Sequence, residues 1–184
     1  LGAESTLRYD TLSGVLTITR SHQDWLRMDF PADPPREASA PPGLLEALNC
    51  PWDAPTLRSR KLWVVRLGTE GEVRELEPDI SALGRVDLGE GPLGVSVTAP
   101  GDGEIDFVSR FFGPWVGVDE DPVTGMAHTI LTPYWLEELD RSQLRARQVS
   151  ERGGDLRVSM VGDRVHVSGQ AVTVARGDLV VPGE

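Results

Sequence analysis

The run Asp106-Phe107-Val108-Ser109-Arg110-Phe111-Phe112-Gly113-Pro114-Trp115-Val116-Gly117-Val118-Asp119-Glu120-Asp121-Pro122-Val123-Thr124-Gly125-Met126-Ala127-His128 decides how this chain folds. Residues 105–112 place aromatics on alternating sides, as a β-strand does. They lead through Gly113-Pro114 into the acidic turn Asp119-Glu120-Asp121-Pro122. A helix is predicted over residues 125–139, with Ala127, Ile130, Leu131, Tyr134, Trp135 and Leu139 roughly on one face. Pro133 interrupts that pattern and is expected to kink the helix, at up to ~3 kcal/mol if nothing compensates.

The turn carries the candidate chemistry. Pro122 restricts the chain after Asp121, and Thr124 is a suitable N-cap. Gly125 allows close backbone approach. The first amides of a helix lack intrahelical partners, and the helix dipole favours a negative group there. A small carboxylate would therefore sit on the amides of Gly125 and Met126, where Asp121 could polarise or deprotonate it. The plainer alternative is that Asp121 and Thr124 simply cap the helix.

Outward from this stretch, strand and helix signals alternate. Residues 6–20 read as a β-hairpin turning at Ser13-Gly14, and residues 25–30 as a further strand that stops at Pro31. Residues 31–42 contain five prolines and read as a linker or extended crossover. A short helix is predicted at 43–49 and another at 80–83, with strands at 61–67 and 94–98. Beyond the long helix, Leu156, Val158 and Met160 alternate, Val161-Gly162-Asp163 turns, and Val165, Val167, Val172 and Val174 continue the strand pattern. The expected architecture is α+β, a curved sheet wrapped around one central helix.

Composition narrows the function. The 184 residues include 18 basic and 29 acidic side chains, a formal charge of −11, which argues against a nucleic-acid or anionic-membrane surface. No run approaches the ~18 apolar residues of a membrane span, and no signal-peptide pattern opens the chain. Cys50 is the single cysteine, so an internal disulfide and a multi-cysteine metal site are excluded and a reducing, cytoplasmic setting is expected. His22, His128 and His166 show no metal-ligand spacing, and His128 is expected to be packed or solvent-facing. Glycine-rich stretches such as Leu88-Gly89-Glu90-Gly91 lack the features of a phosphate-binding loop.

Asp106 to His128 resembles the second-lobe signature of the PhzF family, in which an aromatic-rich strand precedes an E-D-P-[AV]-T-G-S-A turn and a central helix. Arg147-Gln148-Val149-Ser150-Glu151-Arg152-Gly153-Gly154-Asp155-Leu156 resembles its glutamine-plus-glycine turn. The segment from Gly169 to Gly177 is similar to its closing strand, and Met28-Asp29-Phe30-Pro31 to its approach to the interlobe crossing. The combination of Pro-Trp-Val-Gly-Val with Gly-Xaa-Ala-His most resembles the animal phenazine-biosynthesis-like domain proteins. The resemblance implies a diaminopimelate-epimerase-like fold of two lobes, and an isomerase working by proton transfer without a cofactor or metal. It implies Asp121 as a catalytic residue. Thr124, Gly125 and Met126 would bind a small carboxylate-bearing substrate, and a homodimer is a candidate assembly.

Residues 1–38 would then be a remnant of the N-terminal lobe and crossover, and residues 39–184 the C-terminal lobe. No Asn-Leu-Ser-Glu or Gly-His-Ala-Thr segment, which carry the family's acid/base glutamate and a histidine, occurs in the 184 residues. The chain therefore reads as lacking the N-terminal part, with the glutamate expected upstream. Met126 replaces the family's serine, putting a larger apolar group toward the cleft, and Gln170 replaces a glycine. A non-catalytic binding or regulatory protein that retains the fold is the alternative.

Overall fold

The computed structural model describes residues 6–11, 14–20 and 25–178. Ser13 of the expected hairpin turn, and His22, lie outside these residues. Strands β1 (Thr6–Thr11), β2 (Gly14–Arg20) and β3 (Trp25–Pro31) follow one another as antiparallel neighbours. The proline-rich stretch then contributes only the two-residue strand β4 (Arg36–Glu37). Helix α1 (Leu44–Ala47), β5 (Thr56–Arg58), β6 (Leu62–Arg66), α2 (Glu70–Glu75) and α3 (Ile80–Leu83) lead to β7 (Gly94–Pro100) and β8 (Phe107–Phe112). After a 3-10 turn at Pro114–Val116 come α4 (Gly125–Leu139), β9 (Gln143–Gln148), β10 (Gly154–Val161) and β11 (Arg164–Gln170). The strands form one mixed sheet in the order β1-β2-β3-β11-β10-β9-β8-β7-β6-β5-β4.

Two of the pairings are parallel, β6 with β7 and β8 with β9. Parallel neighbours need a crossover, and α2–α3 and α4 supply the two. Both crossovers step the same way along the sheet, but β7 and β8 are antiparallel, so the second starts from a strand of reversed direction. With one handedness for both, the helices must lie on opposite faces. The core divides accordingly. Trp63, Val65, Val95, Val97, Val108 and Phe112 pack with α1, α2 and α3, whereas Leu62, Val64, Phe107 and Phe111 pack with α4. Leu156, Val158, Val165 and Val167, joined by Met28 and Phe30, continue the α4 side of the core.

Helix α4 has the predicted bounds, but its buried surface is wider than the predicted stripe. His128, Thr129 and Thr132 are buried along with Ala127, Ile130, Leu131 and Trp135. Trp135 stacks on Phe107, ring centres 5.6 Å apart, and its indole N–H donates to Thr98 Oγ1 at 2.9 Å. The helix is continuous through Pro133. Proline cannot donate to the carbonyl of Thr129. The backbone N–H of Asp33, in the crossover after β3, donates to that oxygen instead, at 3.2 Å.

Several elements had gone unpredicted. The short helix α2 is announced by a capping box, in which Thr69 Oγ1 accepts from the Glu72 amide while the Glu72 carboxylate accepts from the Thr69 amide. β9 buries Leu144, Ala146 and Gln148 in strict alternation. In the other direction, the strand expected to continue through Val172 and Val174 ends at Gln170, and both valines are exposed. No strand among the described residues pairs with them. No helix of the described residues is long and apolar enough to cross a membrane.

His128 provides a test of the core. It is fully buried, its Nδ1 lies 2.8 Å from the carbonyl of Thr124, and its Nε2 has no hydrogen-bond partner among the described residues. Burial pushes its pKa down to about 4, against the opposing pull of the hydrogen bond to Thr124. Between about pH 6.5 and 4 the unfolded imidazole is therefore protonated while the native one stays neutral, so stability is lost as pH falls through that window. The loss attributable to this group is about 3 kcal/mol in all. Urea titrations of the wild type and His128→Gln should show the wild type losing more stability between neutral pH and pH 4.5; parallel losses would refute the assignment.

Candidate functional site

The turn before α4 is held from two directions. Arg110 on β8 binds the carboxylate of Glu120 with two hydrogen bonds, Nε to Oε1 at 2.7 Å and Nη2 to Oε2 at 2.9 Å. Its Nη1 also donates to the carbonyls of Val73 and Leu76, so this one guanidinium ties the turn to the end of α2. From the other side comes Gln148, the last residue of β9, which is fully buried. Its Oε1 accepts from the Thr124 amide at 2.8 Å, and its Nε2 donates to the Asp121 carbonyl at 2.6 Å and to Thr124 Oγ1 at 3.2 Å. Thr124 Oγ1 in turn bonds Asp121 Oδ2. Ser150 Oγ donates to the carbonyl of Pro122 at 2.7 Å, a third attachment.

Thr124 stands at the N-cap position, yet its side chain makes no capping bond; the hydroxyl is turned to Asp121 and Gln148. Capping and ligand binding were the two readings of this residue, and the geometry adds a third role, as a link between a carboxylate and a buried amide side chain. The Thr124 amide is already engaged, which leaves the following amides of the helix, those of Gly125 and Met126, without intrahelical acceptors.

A groove of about 1160 Å³ lies beside this helix start. It is lined by Ile18, Leu26, Met28 and Val167 and by residues of the β9–β10 loop, among them Arg152 and Gly153. Gly125 lies on its wall, and a β-carbon there would meet no atom within 4 Å. Asp121 and Met126 do not line the groove; Met126 is partly buried against the α4 side of the core. The larger apolar group expected in the cleft therefore packs into the protein. Thr124 is buried beneath the helix start.

Three arginines border the groove. Arg74 pairs with Glu70 at 2.6 Å, and Arg147 pairs with Asp155, whose carboxyl is held below its usual range chiefly by the hydrogen bond from Arg147. Arg152 is exposed and makes no ion pair among the described residues. Cys50 lies elsewhere, partly buried beside Trp52, its thiol pushed up to about 11 by burial and then by Glu72. His166 sits on β11.

Reading the sequence identified the turn and its glycine but not the clamp around it. Gln148 was visible only as part of a motif. Its signal is a polar residue at a buried position of an alternating strand, followed by Gly153-Gly154.

Residues 3–177 match the PhzC-PhzF family, phenazine biosynthesis-like protein, and the chain belongs to that family. It is 38% identical over 185 residues to an uncharacterized isomerase of Halalkalibacterium halodurans, covering 98% of this chain and 67% of that protein. An uncharacterized isomerase of Pseudomonas aeruginosa is 44% identical over 173 residues, covering 94% of this chain and 64% of its own length. Phenazine biosynthesis-like domain-containing protein 1 of Mus musculus, an animal relative of the expected type, is 37% identical over 196 residues, covering 95% and 65%. The crystal structure of a PhzF-family phenazine biosynthesis protein from Enterococcus faecalis superposes with a TM-score of 0.86 at 37% identity, over 98% of this chain and 67% of that one. The chain thus spans about two thirds of the length of the relatives it matches.

The close fit of the two glycines makes a prediction. Gly153 has φ +66°, and a β-carbon on Gly154 would come within 2.5 Å of Val123 Cγ2. Gly154→Ala should therefore displace the turn before α4 and lower stability by about 1–3 kcal/mol, a typical overpacking cost. Adding Val123→Ala should recover most of that loss in a denaturation experiment; an additive double mutant would show that the two residues do not compete for the same space.

Proposed function

We propose that this chain forms the carboxylate-binding side of a cofactor-independent isomerase, in a diaminopimelate-epimerase-like fold, acting on a small carboxylate-bearing substrate by proton transfer. In this reading residues 39–184 make one lobe, and residues 1–38 belong to the other lobe and the crossover. The observation that carries it is the start of α4, whose Gly125 lies unobstructed on the groove wall while the preceding amide is already occupied by Gln148. A substrate carboxylate bound there meets the positive end of the helix, with the exposed Arg152 also lining the groove. Membership of a family whose relatives include proteins named isomerases supports the reaction class.

Asp121 is the group on this chain assigned to proton transfer. It takes a proton from a carbon next to the substrate's carbonyl or carboxyl, the bonding electrons remain on that delocalised system, and reprotonation at another carbon completes an isomerisation. General acid/base assistance of this kind contributes typically ~10²–10⁴-fold. The main acid/base glutamate that the resemblance implies is absent from the 184 residues, so turnover by the chain alone is expected to be weak.

The second reading, a binding or regulatory protein, is favoured by one observation: Gly125 lines the groove and Asp121 does not. Binding needs only the former. Incubation with a panel of small carboxylates in deuterated water, read by mass spectrometry, separates the two. The isomerase reading expects deuterium incorporation that drops by ~10²-fold or more in Asp121→Asn. Equal incorporation in both proteins removes Asp121 from the mechanism, and binding without incorporation supports the second reading.

A further inference from the structure

We propose that Gln148 is a positioning residue for Asp121, acting through Thr124: its carboxamide sets the direction of the Thr124 hydroxyl, which holds Asp121 Oδ2 as an acceptor and leaves Oδ1 as the oxygen open to a proton. The proposal rests on the reading of Asp121 as the proton-transfer group.

The orientation of Gln148 follows from its partners. The Thr124 amide can only donate, so the atom 2.8 Å from it is the carboxamide oxygen. The Asp121 carbonyl can only accept, so the atom 2.6 Å from it is the NH2 group. Two independent backbone groups thus fix the flip, and neither can be exchanged. The same NH2 group then donates its other proton to Thr124 Oγ1, 3.2 Å away. A hydroxyl that accepts there must place its own proton elsewhere, and the acceptor in contact with it is Asp121 Oδ2. The chain of donors runs one way, from Gln148 to Thr124 to Asp121. Asp121 Oδ1 makes no hydrogen bond among the described residues.

Burial gives this order its strength. Gln148 is fully buried and Thr124 nearly so, so water does not compete for the bonds and a reversed hydroxyl would leave a donor unmatched. Gln148 is itself anchored by register, since it pairs with Ser109 where β9 lies parallel to β8. The backbone amide of Asp121 adds a bond to the Phe111 carbonyl on that same strand, at 3.1 Å. The carboxylate is therefore referenced to the sheet at both ends of the link.

A neutron structure of the wild-type chain tests the order directly. The deuteron between Thr124 and Asp121 is expected on Thr124 Oγ1, and a deuteron on the Asp121 side overturns the proposal. Two variants of matched size test the dependence. Gln148→Glu keeps an acceptor for the Thr124 amide but removes both donors, and Thr124→Val keeps Gln148 while removing the hydroxyl. In crystals of either variant the Asp121 carboxylate should leave its wild-type position; an unmoved carboxylate in either refutes the link. For a carboxylate that exchanges deuterium, Gln148→Glu should lower kcat by ~10-fold or more, with KM within ~3-fold, and move the acid limb of the pH profile to higher pH. A destabilised variant with an unchanged pH profile would mark Gln148 as merely structural. If no carboxylate exchanges in the wild type, the reading of Asp121 fails, while the neutron and crystal experiments still decide the positioning.

Discussion

Everything near the candidate site depends on three residue pairs, Phe107 with Ala146, Val108 with Arg147 and Ser109 with Gln148, where β8 and β9 run parallel. Parallel neighbours cannot be joined by a tight turn, so the chain must leave the end of β8, cross the sheet and return. Helix α4 is that return path. The pairing therefore dictates a helix over this face and puts its beginning beside the far end of β9. It also joins the strands on either side into one sheet, since β10, β11 and the first three strands are attached through β9.

The hydrogen-bonding around the turn extends the same constraint to side chains. Arg110 on β8 and Gln148 on β9 belong to adjacent strands, and they hold Glu120 and Thr124 on opposite sides of Asp121. A loop secured this way has little freedom left at the residues between. That suits a site in which a few backbone amides must face a ligand in a set direction, because the ordering is done by the fold before anything binds.

Legibility in the sequence followed the range of the interactions. The bounds of α4 could be read because its signals are local, with Thr124 before Gly125 and an apolar pattern that runs to Leu139. The strands β6, β7 and β8 were readable because they are almost wholly buried and rich in β-branched or aromatic residues. β9 was not, since its pattern Gln143-Leu144-Arg145-Ala146-Arg147-Gln148 buries a glutamine and carries two arginines. Only the facing turn, with its unmatched amide and carbonyl, explains why a glutamine belongs there. Likewise the turn's importance showed in the sequence, but the placement of Met126 against the core and of Asp121 off the groove wall is a three-dimensional fact. The compensation for Pro133 was not legible for the same reason, as it comes from Asp33, a hundred residues away along the chain.

That bond between the Asp33 amide and the Thr129 carbonyl joins one main chain to another, with no side chain taking part. Its specificity is one of spacing rather than of residue type. Substitutions at position 33 can alter the ion pair with Arg60 and leave the bond in place, proline excepted. A single-residue insertion or deletion between the end of β3 and Asp33 would instead carry the amide away from the helix. The crossover should therefore drift freely in composition among relatives while its length from Pro31 stays constant, a signature visible in the gaps of an alignment and not in its identities.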